Sequence, residues 1–248
     1  MEIVKGIRRI GSTKVNVYLL EEAGSVTIID AGLPGYWSEV ASELAAMGRT
    51  IDDVRAVILT HAHDDHIGFA ERMRSEAQVP IQVHRDDAAL ARGEAKPKNE
   101  GGGSYRPVPV ITFLVYAIRK GYLRTNRIGE VVPFDDGATL DVPGSPQVIH
   151  VPGHTAGSAA FHLPGRGVVF VGDAMVTLNV VNGSTGPQLF PNFNADNARA
   201  VASLGRFDDI EARFVLPGHG DPWTGGMADA LRRVRGTIPD AWREAAEG

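Results

Sequence analysis

Three of the chain's eight histidines fall within six positions, in Thr60-His61-Ala62-His63-Asp64-Asp65-His66-Ile67-Gly68. No other feature restricts the fold as much: either this run is a polar surface loop, or the chain must bring these side chains to a common point. At this composition His-x-His-x-Asp-His arises by accident with a probability on the order of one in two thousand, which disfavours the surface loop. Residues 54–59 (VRAVIL) read as a buried strand leading into the run. Alternate residues share a face at a strand end, so His61 and His63 point the same way. From Asp65 onward the pattern predicts a helix, in which each step turns the side chain by about 100°. One short loop can then aim two ligands at one ion and two at a second, and paired ions in such sites lie roughly 3.5–4 Å apart.

Composition narrows the donors. The chain has no cysteine, which removes disulfides, thiolate zinc sites, iron–sulfur clusters and cysteine nucleophiles. Any metal must be held by His, Asp or Glu, a donor set that suits zinc, iron, manganese or cobalt. The net charge of −5 argues against a nucleic-acid partner bound through bulk positive charge. The first ten residues lack the apolar core of a signal peptide, and the longest apolar run, 108–118, is too short to span a bilayer. A cytoplasmic protein is expected, with a small-molecule substrate and no membrane partner.

Further histidines and aspartates recur at strand ends. Strands are predicted at 15–20, 25–30, 80–84, 130–134, 138–140, 147–151, 158–163, 168–171 and 213–216. Helices are predicted at 36–47, from Asp65 to about 78, from Asn194 or Asp196 to about 204, and over 227–245 with a break at Pro239. His154 follows the strand ending at Val151, Asp173 the strand ending at Val171, and His219 the strand ending at Leu216; each comes directly after a glycine. Four strand-end loops thus present ligand-type residues. Both halves run strands first and helices later, the arrangement of two packed sheets with helices outside. No linker divides the chain, and residues 1–248 are expected to form one domain.

This pattern resembles the metallo-β-lactamase fold superfamily. The family's early Asp falls on Asp30, its His-x-His-x-Asp-His on His61, His63, Asp65 and His66, and its later ligands on His154, Asp173 and His219. The resemblance implies an α+β fold, a four-layer αββα sandwich with the site at one edge of the two sheets. It implies a first metal held by His61, His63 and His154, a second by Asp65, His66 and His219, and Asp173 bridging them. A hydroxide between the ions would be the nucleophile, and Asp65 would orient it or take its proton. Asp30 would sit behind the ligands and fix a ligand histidine. Two divalent ions are implied, zinc first, with iron or manganese as alternatives.

Within the superfamily the ligand set is nearest to the glyoxalase II and lactonase branches. That implies hydrolysis of an ester, thioester or lactone. A mononuclear iron sulfur dioxygenase is the alternative from another class, and β-lactamase or phosphodiesterase activity are further alternatives on the same scaffold. His84, His150 and His162 match no motif and read as structural, and Asp64 as either solvent-facing or placed behind the ligands. The stretch 92–127 stands apart, with eight basic residues against two acidic ones. It reads as an insertion: a glycine-rich strip, then an aromatic helix that would cap the site with Phe113, Tyr116 and Tyr122. Such a cap suits an anionic substrate with an apolar part, or the surface of a homodimer.

Overall fold

The computed structural model describes all residues except Asn126 and Gly248, and only the backbone of Glu247. Thirteen strands occur among the described residues: β1 Glu2–Val4, β2 Ile7–Ser12, β3 Val15–Glu22, β4 Ser25–Ile29, β5 Val54–Ile58, β6 Ile81–His84, β7 Val132–Phe134, β8 Gln147–His150, β9 Ala159–Leu163, β10 Val168–Gly172, β11 Val176–Leu178, β12 Thr185–Gln188 and β13 Phe214–Pro217. The helices are α1 Trp37–Ala46, α2 Ala70–Ala77, α3 Ala88–Ala91, α4 Pro107–Arg119, α5 Asn197–Ser203, α6 Met227–Gly236 and α7 Asp240–Glu247.

Strands β1 to β7 form one sheet in chain order, antiparallel through β4 and parallel from β4 to β7. The second sheet runs β13-β10-β9-β8, and β11 pairs with β12 in a separate hairpin. Period-two alternation builds three apolar layers. In β3, Val15, Val17 and Leu19 join a core under the first helices, while Tyr18 and Leu20 face the other sheet. In β10, Val168 and Phe170 face the first sheet, and Val169 and Val171 pack under α5 and α6. Strands apolar on both faces are what a sandwich covered by helices requires, and the result is the αββα arrangement.

Two predicted elements differ. Residues 138–140 make only an isolated bridge, Thr139 to Gln147. Helix α2 begins at Ala70, not Asp65. The intervening backbone is used elsewhere: His66 N–H donates to His63 O at 2.9 Å, Ala31 N–H to His66 O at 2.6 Å and Gly68 N–H to Gly32 O at 2.8 Å. Those bonds stitch the turn to the loop after β4 before the helix can start.

Candidate metal centre

Every ligand-type residue lies just beyond the C-terminal end of a strand. Asp30 follows β4, His61 to His66 follow β5, His154 follows β8, Asp173 follows β10 and His219 follows β13. The first sheet and the second therefore deliver their loops to one edge of the sandwich. Glycines allow the approach. A Cβ on Gly218 would lie 2.2 Å from Asp173 Oδ1 and 2.7 Å from His66 Cε1. Gly172, at φ 50°, would drive one to 2.6 Å from Thr60.

The seven side chains converge. Asp173 Oδ2 lies 3.0 Å from His219 Nε2, 3.4 Å from His154 Nε2, 3.8 Å from His66 Nε2 and 4.0 Å from His61 Nε2. Asp65 Oδ2 is 3.6 Å from His219 Nε2. Three overlapping trios each bring their donor atoms within 4.8 Å of one another: His61-His63-His154, His61-His66-Asp173 and Asp65-His66-His219. His61, His66, His154, Asp173 and His219 are buried, whereas His63 and Asp65 are half-exposed.

The hydrogen bonds behind the rings fix their tautomers. His66 Nδ1 donates to Asp30 Oδ2 at 2.9 Å, and a carboxylate can only accept. Thr60 spends its one hydroxyl hydrogen on Asp30, so its oxygen, 3.0 Å from His61 Nδ1, accepts from that ring. Asn194 gives its Nδ2 to Asn197 Oδ1 at 3.1 Å, leaving Oδ1 to accept from His154 Nδ1 at 3.0 Å. His219 Nδ1 donates to the Lys14 carbonyl. Each of these four rings therefore directs its Nε2 toward the centre. Buried polar atoms are almost always paired, yet Nε2 of His61, His66 and His154 and Oδ1 of Asp173 have no partner. Such a donor set fits a bound cation.

The electrostatics agree. Burial and the neighbouring histidines hold His61 and His63 well below the usual imidazole range. Burial opposes charge on His66 too, but Asp30, Asp173 and Asp65 raise it to about 10. His219 is raised against its burial by Asp173 and Asp65. The Asp173 carboxyl, which burial alone would push up, is held well below the carboxylate range by His219 and His66. The carboxylates call for positive charge at the centre. Protons on His66 and His219 answer that demand, and so does a divalent ion.

Two residues that the sequence did not flag for the site brace the loops. Asp87, buried one turn past β6, accepts from Ala62 N–H at 2.9 Å and Thr155 Oγ1 at 2.8 Å through Oδ2, and from Gly157 N–H at 2.8 Å through Oδ1. It clamps the His61–His63 loop to the His154 loop. Asn194 orients His154, as described above. Asp87 also follows a strand end, the signal that singled out the seven converging side chains. Asp64 carries an ion pair to Arg127 at 2.5 Å. His84, Asp86 and His150 also lie close together. Their imidazoles are stacked, however, with centroids 3.9 Å apart and planes 11° from parallel, and His150 Nε2 donates to the Ala156 carbonyl at 2.8 Å. Parallel rings cannot both aim in-plane lone pairs at one ion.

The sequence pattern of the metallo-beta-lactamase superfamily matches residues 10–219. This chain belongs to that superfamily. Among curated superfamily relatives, the probable metallo-hydrolase YflN of Bacillus subtilis (strain 168) is 27% identical over 241 residues, 90% of this chain and 87% of that protein. The hydroxyacylglutathione hydrolase of Fuscovulum blasticum is 32% identical over 161 residues, 64% of this chain but only 47% of that protein. A solved structure of TTHA1623 in a di-iron-bound form superposes with a TM-score of 0.62 at 26% identity, covering 92% of this chain and 98% of that one.

A cavity of about 290 Å³ opens over the centre. Its floor holds His63, Asp65, His154, Asp173 and His219, and its walls include Phe113, Ala117, Tyr122, Val180, Phe190 and Phe193. The Phe190 ring lies parallel to His154, with centroids 6.1 Å apart, and edge-on to His219 at 5.3 Å. Phe113 and Tyr122 of the 92–127 stretch do line the cavity. Tyr116 does not: its hydroxyl bonds to the buried Tyr36 hydroxyl and accepts from Ser12 Oγ at 2.9 Å, pinning α4 to the first sheet.

Proposed function

We propose that this protein is a dinuclear metal-dependent hydrolase that cleaves an ester, thioester or lactone. The observation that carries the reading is the position of Asp173, whose Oδ2 lies within 4.0 Å of four histidine Nε2 atoms. His61, His63 and His154 would hold one ion, Asp65, His66 and His219 the other, with Asp173 shared between them. The imidazole and carboxylate donors suit zinc first, then iron or manganese. Divalent ions there supply Lewis acidity toward a carbonyl oxygen and a water whose pKa falls to roughly 7.

The chain's own groups do the rest. Asp65, half-exposed beside His219, faces the cavity and is placed to accept a proton from the attacking water. Asp30, Thr60 and Asn194 hold the ligand rings with Nε2 toward the centre, and a cation bound there takes the place of the protons that the carboxylates favour on His66 and His219. Phe113, Phe190 and Phe193 exclude bulk water and receive an apolar substrate group, while Lys98 at the wall offers a cation to an anionic one. Residues 92–127 thus act as a cap on a single domain. Acyl cleavage is also what the name of the hydroxyacylglutathione hydrolase describes, and the di-iron form of TTHA1623 supports the count of two ions.

The test joins metal content to turnover. Protein purified without chelator should carry two ions per chain and hydrolyse at least one member of a panel of lactones, thioesters and esters. Asp173→Asn keeps the shape but removes the shared charge. It should lose at least one ion and about a hundredfold in kcat, with circular dichroism unchanged. A stoichiometry that stays near one after loading with zinc or manganese would refute the dinuclear reading and favour the mononuclear iron alternative.

A further inference from the structure

Helix α4 is apolar on two faces, with the exposed Thr112 and Arg119 on the flank between them. Its inner face, with Phe113 and Ala117, walls the cavity and covers the first-sheet core. Its outer face is equally apolar: Val108, Ile111, Val115 and Ile118 recur at helical spacing and are 71%, 59%, 42% and 45% exposed. At 100° per residue these four fall within one narrow stripe, and Leu123, just beyond the helix, is 78% exposed. An apolar stripe on a helix ordinarily faces a core or a partner.

The charges around the stripe identify what covers it. No acidic residue occurs between positions 101 and 129. Lys120 and Arg127 are paired with Glu39 and Asp64. Arg106 before the helix, Arg119 at its end and Arg124 after it have no acidic partner among the described residues, and all three are exposed. Free cations thus stand at both ends of the stripe, on a chain whose overall charge is −5. Long basic side chains beside an apolar strip can reach headgroups while the strip enters the acyl boundary.

A second copy is the poorer occupant. Two-fold pairing of this face would set Arg106, Arg119 and Arg124 against their own counterparts. The stripe is also about 20 Å long and one helix, about 10 Å, wide, roughly 200 Å². A stable interface takes about 800 Å² from each partner. No described helix is long and apolar enough to cross a membrane, but that criterion does not bear on a helix lying in the interface plane.

We infer that the outer face of α4 docks on an anionic lipid surface, with Val108, Ile111, Val115, Ile118 and Leu123 entering the acyl boundary and Arg106, Arg119 and Arg124 meeting acidic headgroups. Docked this way, the helix that walls the cavity lies against the bilayer. This is independent of the hydrolase reading, because its test reads binding and not turnover.

The experiment is sedimentation of the full-length metal-loaded protein with vesicles of phosphatidylcholine alone or mixed with phosphatidylglycerol. Binding is expected only to the mixed vesicles and should weaken with added salt. Arg119→Gln and Arg124→Gln should each lower partitioning about fivefold. Ile111→Ser with Ile118→Ser should lower it about tenfold or more. These positions are exposed, and thermal melting checks that the variants fold. Ile111→Trp gives a gain of signal: the emission it adds to the wild-type spectrum should move to shorter wavelength with mixed vesicles. Failure to sediment with mixed vesicles overturns the inference, as does sedimentation without that shift. So does a wild-type dimer in light scattering that the double serine variant converts to monomer, which would assign the face to a second copy.

Discussion

At the scale of single residues, the groups behind the candidate ligands are as consequential as those ligands. Asp30 sits at φ 62°, a left-handed conformation that Asp tolerates better than most residues, and from there it receives His66 and Thr60 together. Asp30→Asn would present an N–H to the His66 N–H or turn that ring into the wrong tautomer. Metal affinity should fall about 10–100-fold, read by competition with a chromophoric chelator. His162→Asn, remote from every ligand position, should leave it unchanged. His84 gives a second prediction. Burial first, and then the charge of stacked His150, depress its pKa below the usual 6.5. The unfolded chain therefore binds the extra proton more readily, and stability is lost as pH falls from about 6.5 through the folded value. His84→Gln should shrink the drop in melting temperature between neutral and mildly acid buffer, and an equal drop in both proteins would refute the assignment. The convergence of these side chains was legible in the sequence because His-x-His-x-Asp-His is too improbable to be accidental. Asp87 and Asn194 were not, because a lone Asp or Asn in a loop has the composition of any turn, and only the fold reveals what it receives.

At the scale of elements, the strand-and-helix reading succeeded where one face had to be buried and failed where tertiary bonds took over. The β3–β4 hairpin, α1, and the α6–α7 pair broken near Pro239 follow from periodicity and turn chemistry. Strands β1 and β2 were overlooked because their sequence, EIVKGIRRIGS, mixes charges into the apolar pattern and lies at a sheet edge. The start of α2 was misplaced because the backbone of His66 and Gly68 is committed to the loop after β4. Helix α5 carries a sharper consequence. Its N-cap, Asp196, accepts from Arg199 N–H at 2.8 Å, and its own N–H donates to Gly153 O at 2.9 Å, beside His154. Asp196→Ala should cost about 1 kcal/mol of stability in denaturant melts. In α4, Phe113→Ala should raise KM for substrates with an apolar group and leave kcat nearly unchanged, since the ring supplies binding surface and, though edge-on to His219 with centroids 6.3 Å apart, brings no donor atom to the trios. A fall in kcat at constant KM would place Phe113 in the chemistry instead.

For the whole molecule, the centre is a joint. Its donors come from loops of both sheets, so a cation bound there stabilises only the assembled sandwich. Chelation should lower the melting temperature and zinc should restore it, the shift growing with free metal concentration; at a hundredfold excess over Kd the gain is about 2.7 kcal/mol. A melting point indifferent to chelator would mean that the loops hold their places unaided. The Asp87 clamp has a further consequence, in time. Strands β1 to β4 of the first sheet and β8 to β10 of the second are consecutive antiparallel runs, so each run can form from contacts close in sequence. The bonds from Asp87 to Thr155 and Gly157 reach 68 and 70 residues along the chain and exist only once the two halves have met. During refolding, far-ultraviolet dichroism should therefore recover ahead of cobalt absorbance at the centre, and Asp87→Asn should widen that lag while leaving the early phase alone. The clamp sets the moment in the chain's history at which a metal can first be captured.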